Sequence, residues 1–387
     1  MAKHNNSRKK KKRGSLLLFI VEIVILAVLV VGVFVYAKLN EGIRNIGTST
    51  PTADSDPNAN TDDVVINSIV TQDERLQGYT NIALVGIDTR DSKDIDYANS
   101  DTMIIASINN DTMGVRMVSL YRDTYLNIDP ENWKFEKANA AYCNGSAKQL
   151  LSMLNANLDL NITDYVVVDF SAVAKLVDDL GGISVYMTKE EVVHLNNYCV
   201  ETAKVTGGTY TKLVPSEEPA TYDLNGVQAV SYARIRYTAG NDPKRTQRQR
   251  LVIEKIVEKA KTQGISAIQS VITDVFPMCK TSFSSAQIIK MASQMFNYNI
   301  EYTSGFPFEH IEDNIGDLDA VIPVTLSDNV VELHKFLFDD DNYQVSDKVA
   351  EYSKEISDVS GYTEKSRDSA IANSVIKDSG GEADVVK

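Results

Sequence analysis

DYVVVDFSAVAKLVDDLGGISVYM, residues 164–187, carries strand, helix and strand in immediate succession. Residues 164–170 are a short apolar run rich in valine, of strand length. Residues 171–180 have helical spacing, and Gly181-Gly182 is a stop signal for the helix before them. Residues 183–187, ISVYM, read as a strand again. The same alternation extends in both directions. Upstream, NIALVGID (81–88) is a buried-strand run. TMIIASIN (102–109) and GVRMVSL (114–120) are two strands joined through residues 110–113, and 146–157 has helical periodicity. Downstream, 190–222 lacks a clear period and reads as a long excursion. LNGVQAVSYARIR (224–236) looks helical at first. Asp242-Pro243 is an N-cap and first-turn pair that opens an amphipathic helix over 244–263. Helical stretches follow at 285–297 and 327–338, with a strand at AVIPVTL (320–326). Strands interleaved with helices predict an α/β fold, a layered α/β/α sandwich around a central mixed sheet.

The chain has 387 residues, 43% of them hydrophobic, enough for one large domain or two modest ones with flanking segments. Net charge is −14, unevenly spread. Residues 1–13 hold seven positives and no acid, so the remainder stands at −14 − 7 = −21. Residues 16–37, LLLFIVEIVILAVLVVGVFVYA, form a 22-residue apolar run whose one charge is Glu22. A bilayer core needs roughly 20 such residues, whereas a cleaved signal peptide has an apolar core of only ~7–15. The run therefore reads as a single N-terminal transmembrane helix ahead of the fold. The positive-inside rule places the basic head in the cytoplasm and the rest outside. An exported part this acidic argues against a nucleic-acid partner.

These signals divide the chain into a basic cytoplasmic head (1–14), an anchor (15–37) and a polar stalk (38–77). A domain follows over 78–265, then an extension over 266–345 packed on or beside it. From 346 the composition turns acidic and Ser-rich and reads as a disordered tail (346–387). Cys143, Cys199 and Cys279 are too few for a disulfide framework and show no metal spacing.

Against this acidic background, YARIRYTAGNDPKRTQRQR (232–250) packs five arginines around a helix start. At ~100° per residue, Arg245 and Gln249 lie in line with Val252 and Ile256 on the apolar stripe, with Arg248 on its flank. Cationic side chains on an inward face, at the helix end whose free N–H groups attract anions, point to a recessed phosphate site. Arg234 and Arg236 are two apart and converge on that site only if the preceding helix ends there. Three further islands stand out. Asp88 closes a strand, where α/β sheets place ligands. Asp101 opens the next strand, and Arg122-Asp123 leaves the hairpin. Pairing of the first two strands would bring Asp88 near Asp101, two carboxylates fit for Mg²⁺ or Mn²⁺ beside a phosphate clamp. Each island also has a plainer reading: turn caps for the aspartates, a surface ion pair for Arg122, a structural salt bridge for Arg245.

In order and spacing these islands resemble the LytR–CpsA–Psr family of cell-wall glycopolymer ligases over roughly residues 78–265. The motifs are VGIDTR, SDTMI, SLYRDT, EKANAAY with the following Gly145, DYVVVDF, LVDDLGGISV, GVQAVSYARIR and DPKRTQRQR. Two positions depart from the family pattern: Tyr121 stands where proline is usual, and Gly145-Ser146 replaces a common double glycine. The resemblance implies a phosphotransferase at the membrane of a Gram-positive-type bacterium, its catalytic domain extracellular. Such an enzyme takes a glycopolymer, teichoic acid or capsule, from undecaprenyl pyrophosphate. It transfers the polymer with one phosphate to a peptidoglycan hydroxyl and releases undecaprenyl phosphate. On this basis Asp88 and Asp101 would hold Mg²⁺ or Mn²⁺, with Asp88 a candidate base. Arg122, Arg234, Arg236, Arg245 and Arg248 would clamp the pyrophosphate, Gln249 would hydrogen-bond it, and Lys137 would be a second-rank contact. The alternatives are a lipid pyrophosphate hydrolase using the same residues, and a non-catalytic polyprenyl-pyrophosphate binder or regulator.

Overall fold

A computed structural model of the protein describes residues 61, 63–87, 98–236, 241–263, 271–294, 296–373 and 376–377. The expected head and anchor lie outside these residues. Among the described residues no helix is long and apolar enough to cross a membrane.

The apolar runs build a seven-stranded mixed sheet. β1 (Tyr79–Ile87) and β2 (Ser100–Asn109) pair antiparallel, as do β2 and β3 (Gly114–Leu120). β6 (Asp164–Val168) lies parallel on the other side of β1, and β10 (Asn299–Phe306) parallel to β3. Short β9 (Lys280–Thr281) and β14 (Ile376–Lys377) close the two edges. Because side chains alternate along a strand, the sheet has two distinct faces. Ala83, Val85, Ile87, Met103, Ile105, Val118 and Leu120 belong to a large core shared with the helices Ala140–Leu158, Leu326–Phe338 and Asp347–Ser360. Ile82, Ile104, Ala106, Ile108, Val115 and Met117 face the opposite way, toward Ile253 and Val257 of the helix Asn241–Gln263.

The strand-helix-strand stretch forms as read, with β6, the helix Phe170–Asp179 and β7 (Ile183–Met187). β7, however, leaves the main sheet. It pairs with β8 (Ala220–Leu224), and the two roof a separate core under the helices Lys189–Thr206 and Gly226–Ala233. A two-stranded hairpin, β4 (Tyr125–Asp129) with β5 (Lys134–Lys137), follows β3. A small sheet of β11 (Glu309–Ile315), β12 (Leu318–Pro323) and β13 (Ile371–Ala372) flanks it, through Val321 N–H donating to the Asp123 carbonyl at 2.9 Å.

Four sequence readings are corrected. The excursion at 190–222 contains the 18-residue helix Lys189–Thr206, opened by a reciprocal Thr188–Glu191 capping box. The supposed disordered tail holds the helix Asp347–Ser360, whose Val349, Tyr352 and Ile356 are buried in the main core. The 266–345 extension is not an appendage, since β10 sits inside the main sheet beside β3. The stalk ends earlier than residue 77, because Val64, Val70 and Leu76 are already buried in the core. All three cysteines are free thiols, Cys199 and Cys279 buried in different cores.

Candidate functional site

Asp101 organises the site. It lies at the start of β2, where the ladder with β1 shifts register between Gly86 and Ile87. Gly86 lets the strands close here, because a Cβ on it would stand 2.9 Å from the Thr102 Cβ. The register puts Asp101 at the carboxyl end of β1, the expected place for a ligand in an α/β sheet. Three guanidinium groups meet on this one residue. Arg122 Nη1 donates to Asp101 Oδ1 at 2.8 Å, Arg236 Nη2 lies 3.5 Å from Oδ2, and Arg245 Nη2 donates to the Asp101 carbonyl at 3.0 Å. They arrive from the end of β3, from just past the helix Gly226–Ala233, and from the first turns of the helix Asn241–Gln263. Arg245 is 2% exposed, the bulkiest fully buried side chain of the described residues.

Arg122 also donates from Nε to Asp123 Oδ2 at 3.2 Å, and Lys137 Nζ lies 3.3 Å from Asp123 Oδ1. The turn that carries Arg122 is pinned by backbone bonds, Asn139 N–H to the Arg122 carbonyl and Ala138 N–H to the Thr124 carbonyl. Four cations therefore gather around two carboxylates, Asp101 and Asp123. An excess of positive charge so concentrated in an acidic protein has the chemistry that suits a multiply charged anion.

The remaining arginines are placed differently. Arg248 donates from Nε to Glu191 Oε1 at 3.0 Å and from Nη1 to the Ile235 carbonyl at 3.2 Å. Arg234 donates to Thr202 Oγ1 and Glu201 Oε2, and its guanidinium lies over the Phe170 ring at 4.6 Å. Both are thus neutralised by the helix Lys189–Thr206, and Arg234 makes no described contact with the Asp101 cluster. The Gln249 Oε1 is buried without a hydrogen-bond partner. Asp88 lies outside the described residues.

Reading from sequence missed Glu191, Glu201 and Thr202 because the helix that carries them was not recognised. The Thr188-x-x-Glu191 spacing was the available signal, and one Glu191 oxygen serves the cap while the other serves Arg248. It also passed over Arg250, which is 4% exposed with Nε and Nη1 unbonded. Burial pushes its pKa down to about 10, against the opposing pull of Tyr121 and Glu254.

For a divalent cation the donor chemistry is suitable, since carboxylate oxygen suits Mg²⁺ and Mn²⁺. Both Asp101 oxygens are already engaged by guanidinium groups, and no cluster of three or more potential ligands occurs among the described residues. Asp101 is the described half of the expected carboxylate pair, and Asp88, the other half, lies outside the described residues.

Comparison with known proteins agrees with the fold. A curated relative from Enterococcus faecalis, polyisoprenyl-teichoic acid–peptidoglycan teichoic acid transferase TagU, is 33% identical over 228 residues, 58% of this chain and 66% of its own length. Biofilm regulatory protein A of Streptococcus mutans is 30% identical over 222 residues, 54% of this chain and 52% of its own. This chain thus spans between half and two thirds of these relatives. The crystal structure of protein gbs0355 from Streptococcus agalactiae superposes with a TM-score of 0.57 at 26% identity, covering 71% of this chain and 93% of that one. A family model, described as the LytR_cpsA_psr family, matches residues 43–314. Matched across most of its length, from the polar segment ahead of β1 through β11, the chain belongs to the LytR–CpsA–Psr family.

Proposed function

We propose that this protein is an extracytoplasmic, membrane-anchored phosphotransferase that moves a glycopolymer from a polyprenyl pyrophosphate, undecaprenyl pyrophosphate in the reading from sequence, to a peptidoglycan hydroxyl. The observation that carries the reading is the convergence of Arg122, Arg236 and Arg245 on Asp101, with Arg245 buried. Phosphoryl transfer asks chiefly for positioning and charge neutralisation, which such a cluster supplies. The E. faecalis relative's name, a transferase of polyisoprenyl-linked teichoic acid, supports the substrate class.

In this reading the pyrophosphate displaces part of the arginine grip on Asp101. The acceptor hydroxyl oxygen bonds to the phosphorus that carries the polymer, and the bond from that phosphorus to the bridging oxygen breaks. Lipid monophosphate leaves with the electron pair. The acceptor proton passes to a carboxylate of the site, Asp88 by the sequence reading. Arg122, Arg236 and Arg245 would neutralise the charge that builds on the phosphoryl oxygens, with Lys137 holding Asp123 in line. Arg234 and Arg248, tied to glutamates, would shape the wall of the site instead. The prenyl tail would enter the thin apolar layer beneath the helix Asn241–Gln263, where Leu84, Val166, Ile253, Val257 and Met291 are only partly buried. Mg²⁺ or Mn²⁺ held by Asp88 and Asp101 is a separate proposal, checked by cation titration of wild type against Asp101→Asn.

The test uses the full chain in lipid nanodiscs with labelled lipid-linked polymer and peptidoglycan. Arg245→Ala should lower transfer about 10³-fold or more while the lipid still binds. Label appearing only as soluble sugar phosphate would replace transferase by hydrolase. Unchanged transfer by Arg245→Ala would defeat the catalytic reading.

A further inference from the structure

Tyr121 immediately precedes Arg122, is 2% exposed, and is held by both its backbone and its hydroxyl. Its N–H donates to the Phe306 carbonyl at 2.9 Å, and its carbonyl accepts from Thr124 N–H at 3.0 Å and Thr124 Oγ1 at 2.7 Å. Its hydroxyl donates to Asn373 Oδ1 at 2.7 Å. We propose that Tyr121 is a positioning residue for Arg122, and that residues 371–373 form a strap whose Asn373 fixes it. The inference rests on the transferase reading and adds to it what sets the aim of one arginine of the site.

The side chain is built into its place. Proline, usual here in the family pattern, has neither the N–H nor the hydroxyl, so tyrosine gives the turn two further anchors. Gly305 of β10 makes room for the ring, because a Cβ on it would stand 2.2 Å from the Tyr121 hydroxyl oxygen. His310 of β11 stands edge-on to the ring at 5.4 Å.

The strap is anchored on both sides. Ile371 and Ala372 of β13 pair with His310 and Glu309, while Ile376 and Lys377 of β14 pair with Thr303 and Tyr302. Between these ladders Asn373 N–H donates to the Phe308 carbonyl at 2.7 Å. Its Nδ2 donates to the Gly305 carbonyl at 3.4 Å and to the Pro307 carbonyl. With Nδ2 engaged by carbonyls, Oδ1 is the atom presented to the Tyr121 hydroxyl. Asn373 thus reaches the turn from 252 residues away, beyond the family-matched residues 43–314. Downstream of Tyr121, Asn139 N–H holds the Arg122 carbonyl at 3.0 Å. The turn is therefore fixed on both sides of the residue whose guanidinium meets Asp101. A misplacement of about 1 Å near the chemistry can cost on the order of 10²-fold in rate, so the hold matters more to turnover than to folding.

The experiment uses the full chain in lipid nanodiscs with labelled lipid-linked polymer and peptidoglycan. Tyr121→Phe removes one oxygen and keeps the ring over Gly305. It should lower kcat about threefold to tenfold while octaprenyl pyrophosphate affinity changes by less than about twofold. Asn373→Ala should lower kcat at least as far. Adding Tyr121→Phe to Asn373→Ala should change nothing more, because both remove the same bond. On the residual transfer of Arg122→Ala, Tyr121→Phe should also be silent, which a tyrosine serving stability alone would not be. Unchanged kcat in Tyr121→Phe, or an undiminished loss in either background, overturns the proposal. Amide exchange at Thr124, whose N–H donates to the Tyr121 carbonyl, reads the turn without turnover and should quicken in Tyr121→Phe. Unchanged exchange there also overturns it. Faster exchange in a protein that transfers nothing upholds the strap and removes the transferase reading.

Discussion

One face of the central sheet is filled by Leu150, Leu151, Leu154, Leu333, Leu337, Tyr352 and their neighbours, each essentially inaccessible. The other face carries fewer buried residues among those described, and its covering side chains Ile253, Val257, Phe276, Met291 and Tyr298 remain partly exposed. The two faces are equally apolar in sequence, since neighbouring positions of β1, β2 and β3 alternate between them. What differs, among the described residues, is how completely the covering helices bury each. A face packed to completion stabilises the fold, while an apolar face left underfilled has room for an apolar ligand.

The contrast is easiest to break by truncation. Leu150→Ala on the filled face should cost about 2–5 kcal/mol in chemical denaturation, because a cavity is left in a closed core. Val257→Ala should cost about 1 kcal/mol or less, its methyls being only partly buried, yet weaken polyprenyl pyrophosphate binding. Equal losses of stability at the two sites would show the faces to be equivalent.

Titration sharpens it next. His334 is stacked on Tyr343 at 3.5 Å inside the filled core, and burial holds its pKa below the ordinary histidine range. His310, with no exposed surface and edge-on to Tyr121, is pushed by burial to about 4. Both are neutral when folded and take up a proton more readily when unfolded. Their stabilising contribution is complete above pH 6.5 and falls away as pH drops toward 4, by up to about 3 kcal/mol for His310. Thermal melts from pH 7 to pH 4 should show the loss, and His310→Leu should shrink it. A flat profile would mean that neither ring is sealed from water.

The smallest effect lies at the kink in the helix Ala140–Leu158, where Ser146 adopts φ +56°, ψ −153°. That conformation suits glycine, and Ser146→Gly should raise stability by under about 1 kcal/mol. A lower melting temperature would show that contacts of the hydroxyl outweigh the backbone strain.

Much of this was legible before any coordinates. β3 and β7 run over the residues read from sequence, and β1 and β2 come within two residues at each end, because buried strands are short and continuously apolar. The helix Lys189–Thr206 was not read, although Val192, Leu195, Cys199 and Thr202 are buried at spacings of three and four. Asn, Glu and β-branched residues between them lowered the apolar signal. The helix Asp347–Ser360 failed likewise: its Val349, Tyr352 and Ile356 form a stripe, but the acidic composition around them dominated the reading.

Sequence alone determined the ingredients of the site: which residues carry charge, where strands end, and that an arginine-rich helix start follows. Local spacing fixes those, because period and capping act over a few residues. Only the tertiary structure decided which arginines share one centre. Arg122, Arg236 and Arg245 meet at Asp101 across separations of 21, 135 and 144 residues, while Arg234 and Arg248 are claimed by Glu201 and Glu191. Such partners are set by how helices dock on a sheet, and burial makes each choice costly to undo, since a guanidinium removed from water must find its oxygen nearby.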